Sequence, residues 1–148
     1  MKRHKRTLIV SLGILILALA CGRGGTPVAM RDVPIYDGAT PTAAGDKPLV
    51  DLVVKSMEEA IAGEEITMET NTYTLPEGAT WGDVKSFYTD QLESTDWEPA
   101  DELSDESIDE FKTIGWQRGA ASKQLLVVAY LPDLFGEGAT LITMLFSE

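Results

Sequence analysis

Cys21 has the most distinctive chemistry in this chain, because it is the only cysteine among 148 residues. An internal disulfide requires two cysteines, so none can form and the fold must be stabilised by packing. The only histidine, His4, lies before Cys21, so no imidazole follows the thiol. The chemistry open to Cys21 therefore depends on the residues directly around it.

The first 21 residues have the layout of an export signal. Residues 2–6 (KRHKR) are basic, residues 7–20 (TLIVSLGILILALA) are apolar, and small and aliphatic residues lead into Cys21. Residues 7–20 are too few to cross a hydrocarbon core, which takes about 20 residues, but they suit the apolar region of a signal peptide. This layout resembles the lipobox of bacterial prolipoproteins. The resemblance implies a signal peptide over residues 1–20 and lipidation of Cys21.

A lipidated Cys21 predicts where the protein resides. A diacylglyceryl group, with or without a further acyl chain, contributes about 0.8 kcal/mol per buried methylene and holds a protein firmly to a membrane. Gly22 follows the cysteine, not the Asp that retains many lipoproteins at the inner membrane. We expect the protein on the extracytoplasmic face of the cell membrane or at the outer membrane. The alternatives are an uncleaved N-terminal anchor and an ordinary secretory signal cut after Ala20.

The chain from Cys21 onward is strongly acidic. It keeps eight of the twelve Lys and Arg residues and all 24 Asp and Glu residues, which gives a formal charge of −16. Such a surface repels nucleic acids and anionic lipid headgroups. We therefore expect no nucleic-acid partner, and a membrane partner only through the lipid anchor.

This chain lacks the residues on which most enzyme mechanisms depend. Without a His after residue 4, Ser-His-Asp catalysis and His-ligated zinc are excluded from the mature part. No glycine-rich phosphate loop is followed by Lys-Ser or Lys-Thr. A carboxylate pair of the kind that glycosidases use remains open as a distant alternative. We predict a protein without catalytic activity and without a cofactor.

An acidic run between residues 96 and 110 is the most unusual stretch of the mature chain. Asp101, Asp105 and Asp109 recur every four residues, and no basic residue interrupts the run. Clustered carboxylates suit Ca²⁺, so these three residues are weak candidates for metal ligands. However, the run lacks the Asp-x-Asp-x-Asp-Gly pattern and a turning Gly, and a solvated loop is the simpler interpretation.

Two apolar features are candidate contacts for a partner. Leu134 and Phe135 lie between turn-forming residues in the loop 132–138 (PDLFGEG), where they either fold back onto the core or stay exposed. Trp97 lies just outside the apolar stripe of a predicted helix. The other aromatic residues have the spacing of core positions.

The pattern downstream of Cys21 predicts a tether followed by one domain. Residues 21–45 are rich in Gly and Pro and predict a tether, part of which lies extended against the core. Asp46 is a candidate cap for a first helix, whose stripe would be Leu49, Val53, Met57 and Ile61. Thr80 and Asp83 predict a capping box for a second helix. Strands are predicted at residues 66–75, 111–118, 123–131 and 139–147.

The predicted domain, residues 46–148, is α+β. The order α-β-α-β-β-β favours an antiparallel sheet of about four strands with the helices packed on one face. Several residues resemble a recurring type of small bacterial lipoprotein domain: the Pro-Ile-Tyr-Asp-Gly-Ala segment 34–39, Phe87-Tyr88, Leu92, Trp97 and Trp116. The resemblance implies no active site.

Together these patterns predict a lipid-anchored accessory protein that presents an acidic domain to an envelope protein. The first alternative is a lipoprotein that binds a small ligand or calcium. The second is a carboxylate-dependent hydrolase.

Overall fold

The computed structural model describes residues 26–103, 106–108, 111–119 and 123–148. The signal peptide, Cys21, Asp105 and Asp109 lie outside the described residues. Two α-helices are described: α1 (Pro48–Ile61) and α2 (Trp81–Glu93). The strands are β1 (Thr40–Pro41), β2 (Thr67–Thr74), β3 (Glu98–Pro99), β4 (Glu106–Ile108), β5 (Phe111–Arg118), β6 (Gln124–Leu131) and β7 (Thr140–Ser147).

The strands form one antiparallel sheet in the order β1-β2-β7-β6-β5-β3, with β4 paired to β5. Four strands of eight residues make up its body, and the predicted number of about four omitted the short strands at its margins. β6 begins beside the end of β7, where Gln124 pairs with Ser147, and we call this the lower end of the sheet. The upper end carries the loop 132–139 between β6 and β7.

The two helices lie on opposite faces of the sheet. One core combines α1 with Val127, Ala129, Ile142 and Met144. The other core combines α2 with the residues that alternate with these along the strands, among them Leu126, Val128, Leu141 and Leu145. The prediction of both helices on one face was therefore wrong. Both central strands are apolar on both sides, and a sheet of this kind must be covered on both faces.

Helix α2 begins as its sequence predicts. The backbone N–H of Asp83 donates to the Thr80 hydroxyl at 3.3 Å, and the Asp83 carboxylate accepts from the Thr80 N–H at 2.9 Å. These two hydrogen bonds satisfy donors that the first turn would leave unpaired. The Thr80 hydroxyl also donates to the Asp83 carboxylate at 2.6 Å. This bond, with the one from the Thr80 N–H, holds the pKa of Asp83 below its usual value.

Helix α1 differs from its prediction in cap and in orientation. Its N-cap residue is Lys47, and the carboxylate of Asp46 instead accepts from the Ala43 N–H at 3.2 Å in the preceding turn. The helix buries Val50 and packs Val53, Val54 and Met57 against the sheet. The buried stripe is therefore turned by about one residue from the predicted one. This rotation of the helix leaves Leu49 and Leu52, in its first two turns, exposed at the surface.

Residues 28–39 run along the α2 face from the lower to the upper end, and we call them the N-terminal strap. Met30 and Val33 are buried in the core, and the Tyr88 hydroxyl donates to the Pro34 carbonyl at 3.0 Å. The packed domain thus starts near residue 28, and part of the predicted tether, residues 21–45, contributes to the core.

Gln124 fixes the point at which the strap enters the domain. Its buried side-chain amide accepts from the Val28 N–H at 2.9 Å and donates to the Val28 carbonyl at 2.8 Å. The same nitrogen lies 3.0 Å from the Ser147 hydroxyl. The Gln124 amide thus pairs with both the N–H and the carbonyl of Val28, as the backbone of a neighbouring strand would. The chain therefore enters at the lower end.

None of the helices in the described part of the chain is long and apolar enough to cross a membrane.

Candidate functional site

An open apolar groove lies at the upper end of the sheet, between the start of α1 and the loop after β6. Its volume is about 490 Å³. Most of its lining is apolar, with a few charged residues at the rim. The lining residues are Lys47, Pro48, Leu49, Val50, Leu52, Leu131, Pro132, Asp133, Leu134, Phe135, Glu137, Gly138 and Thr140. We call this feature the upper groove.

The upper groove collects most of the exposed large apolar side chains of the described residues. These number five, and four of them line the groove: Leu49, Leu52, Leu134 and Phe135. Phe135 is 75% exposed and Leu134 is 51% exposed, so neither folds back onto the core. Clustered exposed apolar residues of this kind are typical of an interaction surface.

The loop that carries Phe135 is held by Asp133. The Asp133 Oδ1 atom accepts from the N–H groups of Phe135 at 3.3 Å and of Glu137 at 2.9 Å. Gly136 and Gly138 have φ values of 77° and 82°, a left-handed conformation that glycine adopts without steric cost. The loop thus has a defined conformation although its apolar side chains are exposed.

The charge state of Asp133 favours the loop at neutral pH. Desolvation raises the pKa of this carboxyl, but hydrogen bonds from the N–H groups of residues 138, 137, 136 and 135 outweigh it, and the pKa is lowered overall. A carboxyl with a lowered folded-state pKa stabilises the fold above its unfolded-state value of about 3.9. That contribution is lost only as the pH falls through the folded-state pKa, so the loop stays organised throughout the neutral range.

Lys47 joins the start of α1 to the loop. Its ammonium donates to the carbonyls of Glu137 at 3.3 Å and Gly138 at 3.1 Å, and to the Thr140 hydroxyl at 2.7 Å. An ammonium has three N–H donors, so these contacts can occupy all of them. Lys47 therefore ties together the two walls of the upper groove, the start of α1 and the loop after β6.

We expect Asp133→Ala to loosen the loop without unfolding the domain. The substitution removes the carboxylate that accepts from the backbone N–H groups of the loop but leaves the buried core unchanged. Hydrogen exchange of the amides of residues 135–138 should become faster, while the melting temperature should shift little. Asp90→Ala, at an exposed site on α2, is the matched control. Unchanged exchange at residues 135–138 would show that Asp133 does not hold the loop.

The structure does not place Trp97 with Leu134 and Phe135. Trp97 is only 8% exposed and belongs to the core on the α2 face. The Arg118 guanidinium lies 5.5 Å from the centre of its ring and 3.4 Å from the Asp96 carboxylate. The Trp97 side chain thus packs near the lower end, away from the upper groove.

The acidic run is described only in part. Asp101 lies in a short 3-10 helix, Asp101–Leu103, on the rim of a wide depression of about 1010 Å³ at the lower end. Among the described residues, no three Asp, Glu, His or Cys side chains are grouped closely enough to hold a metal ion. Two of the three candidate calcium ligands, Asp105 and Asp109, lie outside the described residues.

Two residues of the upper groove, Leu49 and Leu52, were not predicted from the sequence. The four-residue spacing of Leu49 with Val53 and Met57 suggested a core position. Leu49 and Leu52 both lie in the first two turns of α1, next to the loop that follows β6. The sequence alone does not show which face of these turns the sheet covers.

The chain was also compared with known proteins. It matches no protein family model, no curated protein and no solved structure. Its function must therefore be inferred from its own residues.

Proposed function

We propose that this protein is a lipid-anchored, extracytoplasmic accessory protein without catalytic activity that binds an envelope protein through the upper groove. The observation that carries the proposal is the clustering of Leu49, Leu52, Leu134 and Phe135 on one open surface. The anchor is the lipid expected on Cys21. A protein that works by presenting a surface needs no nucleophile, metal or cofactor.

The form of the upper groove favours a protein partner over a small ligand. Small-molecule sites bury about 70–90% of their ligand's surface within a concave pocket. Here the side chains of the walls are themselves largely exposed, with Phe135 the most exposed of them. An exposed Phe beside exposed Leu residues is better suited to inserting into a partner's surface. At the upper groove, a small ligand therefore has less support than a protein partner.

The position of the groove also fits an anchored protein. Val28 is fixed at the lower end by Gln124, and Cys21 lies seven positions before it in the chain. Seven extended residues span at most about 25 Å. The eight residues of β6 carry the upper groove roughly 25 Å away from that lower end. An anchor on Cys21 would thus leave the lower end nearest the membrane and the groove pointing outward.

Replacing both Leu134 and Phe135 by Ser tests the binding role. Because both side chains are exposed, the double variant should keep the melting temperature within a few degrees of the wild type. It should nevertheless lose the envelope protein that co-purifies with the wild type from detergent-solubilised membranes. Ile35→Ser removes another exposed apolar side chain, 53% exposed and outside the groove, and should retain that protein.

Two results would contradict the proposal. Equal recovery of the co-purifying protein with the double variant would exclude the upper groove as the contact. Unfolding of the double variant would show that Leu134 and Phe135 act in stability, contrary to their exposure.

A further inference from the structure

We infer that the upper groove recognises a protein segment whose apolar side chains are flanked by Lys or Arg, and not a second copy of this chain. The inference rests on the proposed function and adds the chemical class of the partner. It follows from the charges around the groove and from how each of them is already used within the fold.

The rim of the upper groove is acidic where a partner would approach. Asp133 and Glu137 lie in its lining and are exposed. Asp46 and Asp51 add negative charge at the start of α1, and their carboxylates accept hydrogen bonds from the N–H groups of Ala43 and Gly45. These bonds come from uncharged backbone groups, so the negative charge is not neutralised by them.

The cation in the lining, Lys47, is directed inward. Its ammonium contacts two loop carbonyls and the Thr140 hydroxyl at 2.7–3.3 Å, so its three N–H donors are used within the protein. An acidic partner would have to break these bonds to pair with Lys47. A basic partner can leave them intact and pair with the exposed carboxylates of Asp133 and Glu137. The groove thus favours basic over acidic segments.

A second copy of the chain fits poorly. The part from Cys21 onward carries a formal charge of −16, and a symmetric dimer through the groove would bring two acidic rims together. Charge repulsion of this kind keeps acidic proteins monomeric. An anionic membrane surface is disfavoured for the same reason. The apolar residues of the groove therefore need an occupant that brings positive charge with it.

The test uses three synthetic peptides that share a central Phe-Phe pair and differ only in flanking residues: Lys, Gln or Glu. The full chain, expressed with its own N-terminus and purified in mild detergent, is titrated with each fluorescent peptide. The Lys peptide should bind about fivefold to tenfold more tightly than the Gln peptide at low salt, and the Glu peptide most weakly. The preference should shrink as salt is raised.

Variants assign the binding to the groove. Leu134→Ser with Phe135→Ser should weaken all three peptides, since it removes the shared apolar contact. Glu137→Gln should reduce the preference for the Lys peptide while retaining the Gln peptide, and it leaves the Glu137 backbone bonds in place. Ile35→Ser is the matched control and should bind like the wild type.

Three results would overturn the inference. The first is equal binding of the Lys and Glu peptides, or tighter binding of the Glu peptide. The second is a groove-dependent dimer in sedimentation analysis, abolished by the double Ser variant. The third is binding to anionic vesicles that requires Leu134 and Phe135. Any of these outcomes can occur while the groove still binds an envelope protein, so they are distinct from failure of the proposed function, in which the double variant loses no partner.

Discussion

Cys21→Ala is expected to move the protein from the membrane fraction to the soluble fraction. The wild type would be held by two or three acyl chains, each methylene of which contributes about 0.8 kcal/mol of transfer free energy. The variant lacks the thiol that accepts these chains. Its acidic surface also gives it no affinity for anionic headgroups. The change in distribution should therefore be close to complete.

The measurement is membrane fractionation with gel mobility, with and without an inhibitor of signal peptidase II. In the wild type, the inhibitor should cause a larger precursor to accumulate. In Cys21→Ala it should have no effect on the size of the chain. An alternative cut after Ala20 by an ordinary signal peptidase would give a wild type that is soluble and insensitive to the inhibitor. Identical behaviour of wild type and variant would exclude lipidation of Cys21.

Tyr88→Ala is expected to cost about 3–5 kcal/mol of unfolding free energy, the range observed for large aromatic residues in cores. Tyr88 is fully buried, and its ring lies 5.1 Å from that of Phe87 and 6.2 Å from that of Trp116. Its hydroxyl also holds the strap through the Pro34 carbonyl at 3.0 Å. One side chain thus connects α2, the sheet and the N-terminal strap.

Tyr88→Phe separates the hydrogen bond from the packing. It keeps the ring and removes only the hydroxyl, so the expected cost is about 1 kcal/mol. Denaturant unfolding should rank the wild type, Tyr88→Phe and Tyr88→Ala in that order. A Tyr88→Ala variant as stable as the wild type would contradict the placement of the strap and α2 on the same face.

The wild type and Tyr88→Phe should also differ in how their stability changes in alkaline solution. Burial, with a smaller contribution from Tyr73, raises the pKa of Tyr88 well above its usual value. The unfolded chain ionises its tyrosines near pH 10, so the buried neutral phenol stabilises the fold fully below that pH. This stabilisation declines as the pH rises above 10. Tyr88→Phe should therefore lose less stability above pH 10 than the wild type, which unfolding curves at several pH values can measure.

The sequence predicted the local elements better than their arrangement. The capping box of Thr80 and Asp83 is a short-range pattern, and the structure confirms it. The class, α+β with an antiparallel sheet, follows from the order of the elements and is also confirmed. The position of α1 could not be read in the same way. Leu141 and Leu145 make the second face of β7 apolar and pack with α2, so α1 covers the face opposite to α2.

The candidate site was only partly predictable for a similar reason. Leu134 and Phe135 stand out because apolar residues are unusual between turn formers, yet their exposure depends on how the loop folds. The contact of Lys47 with Thr140 joins residues 93 positions apart, and no local pattern encodes it. The hydrogen bond between Gln124 and Val28 is also long-range, since these residues lie 96 positions apart. Contacts of this range depend on the complete sheet.

Photo-crosslinking from the upper groove in intact membranes tests the central claim most directly. A photoreactive amino acid replaces Phe135 in one protein and Ile35 in the other, with Cys21 unchanged in both. We expect a discrete adduct with one envelope protein from position 135, through a segment that combines apolar and basic residues, and none from position 35. Absence of an adduct at position 135, or the same adducts from both positions, would contradict it.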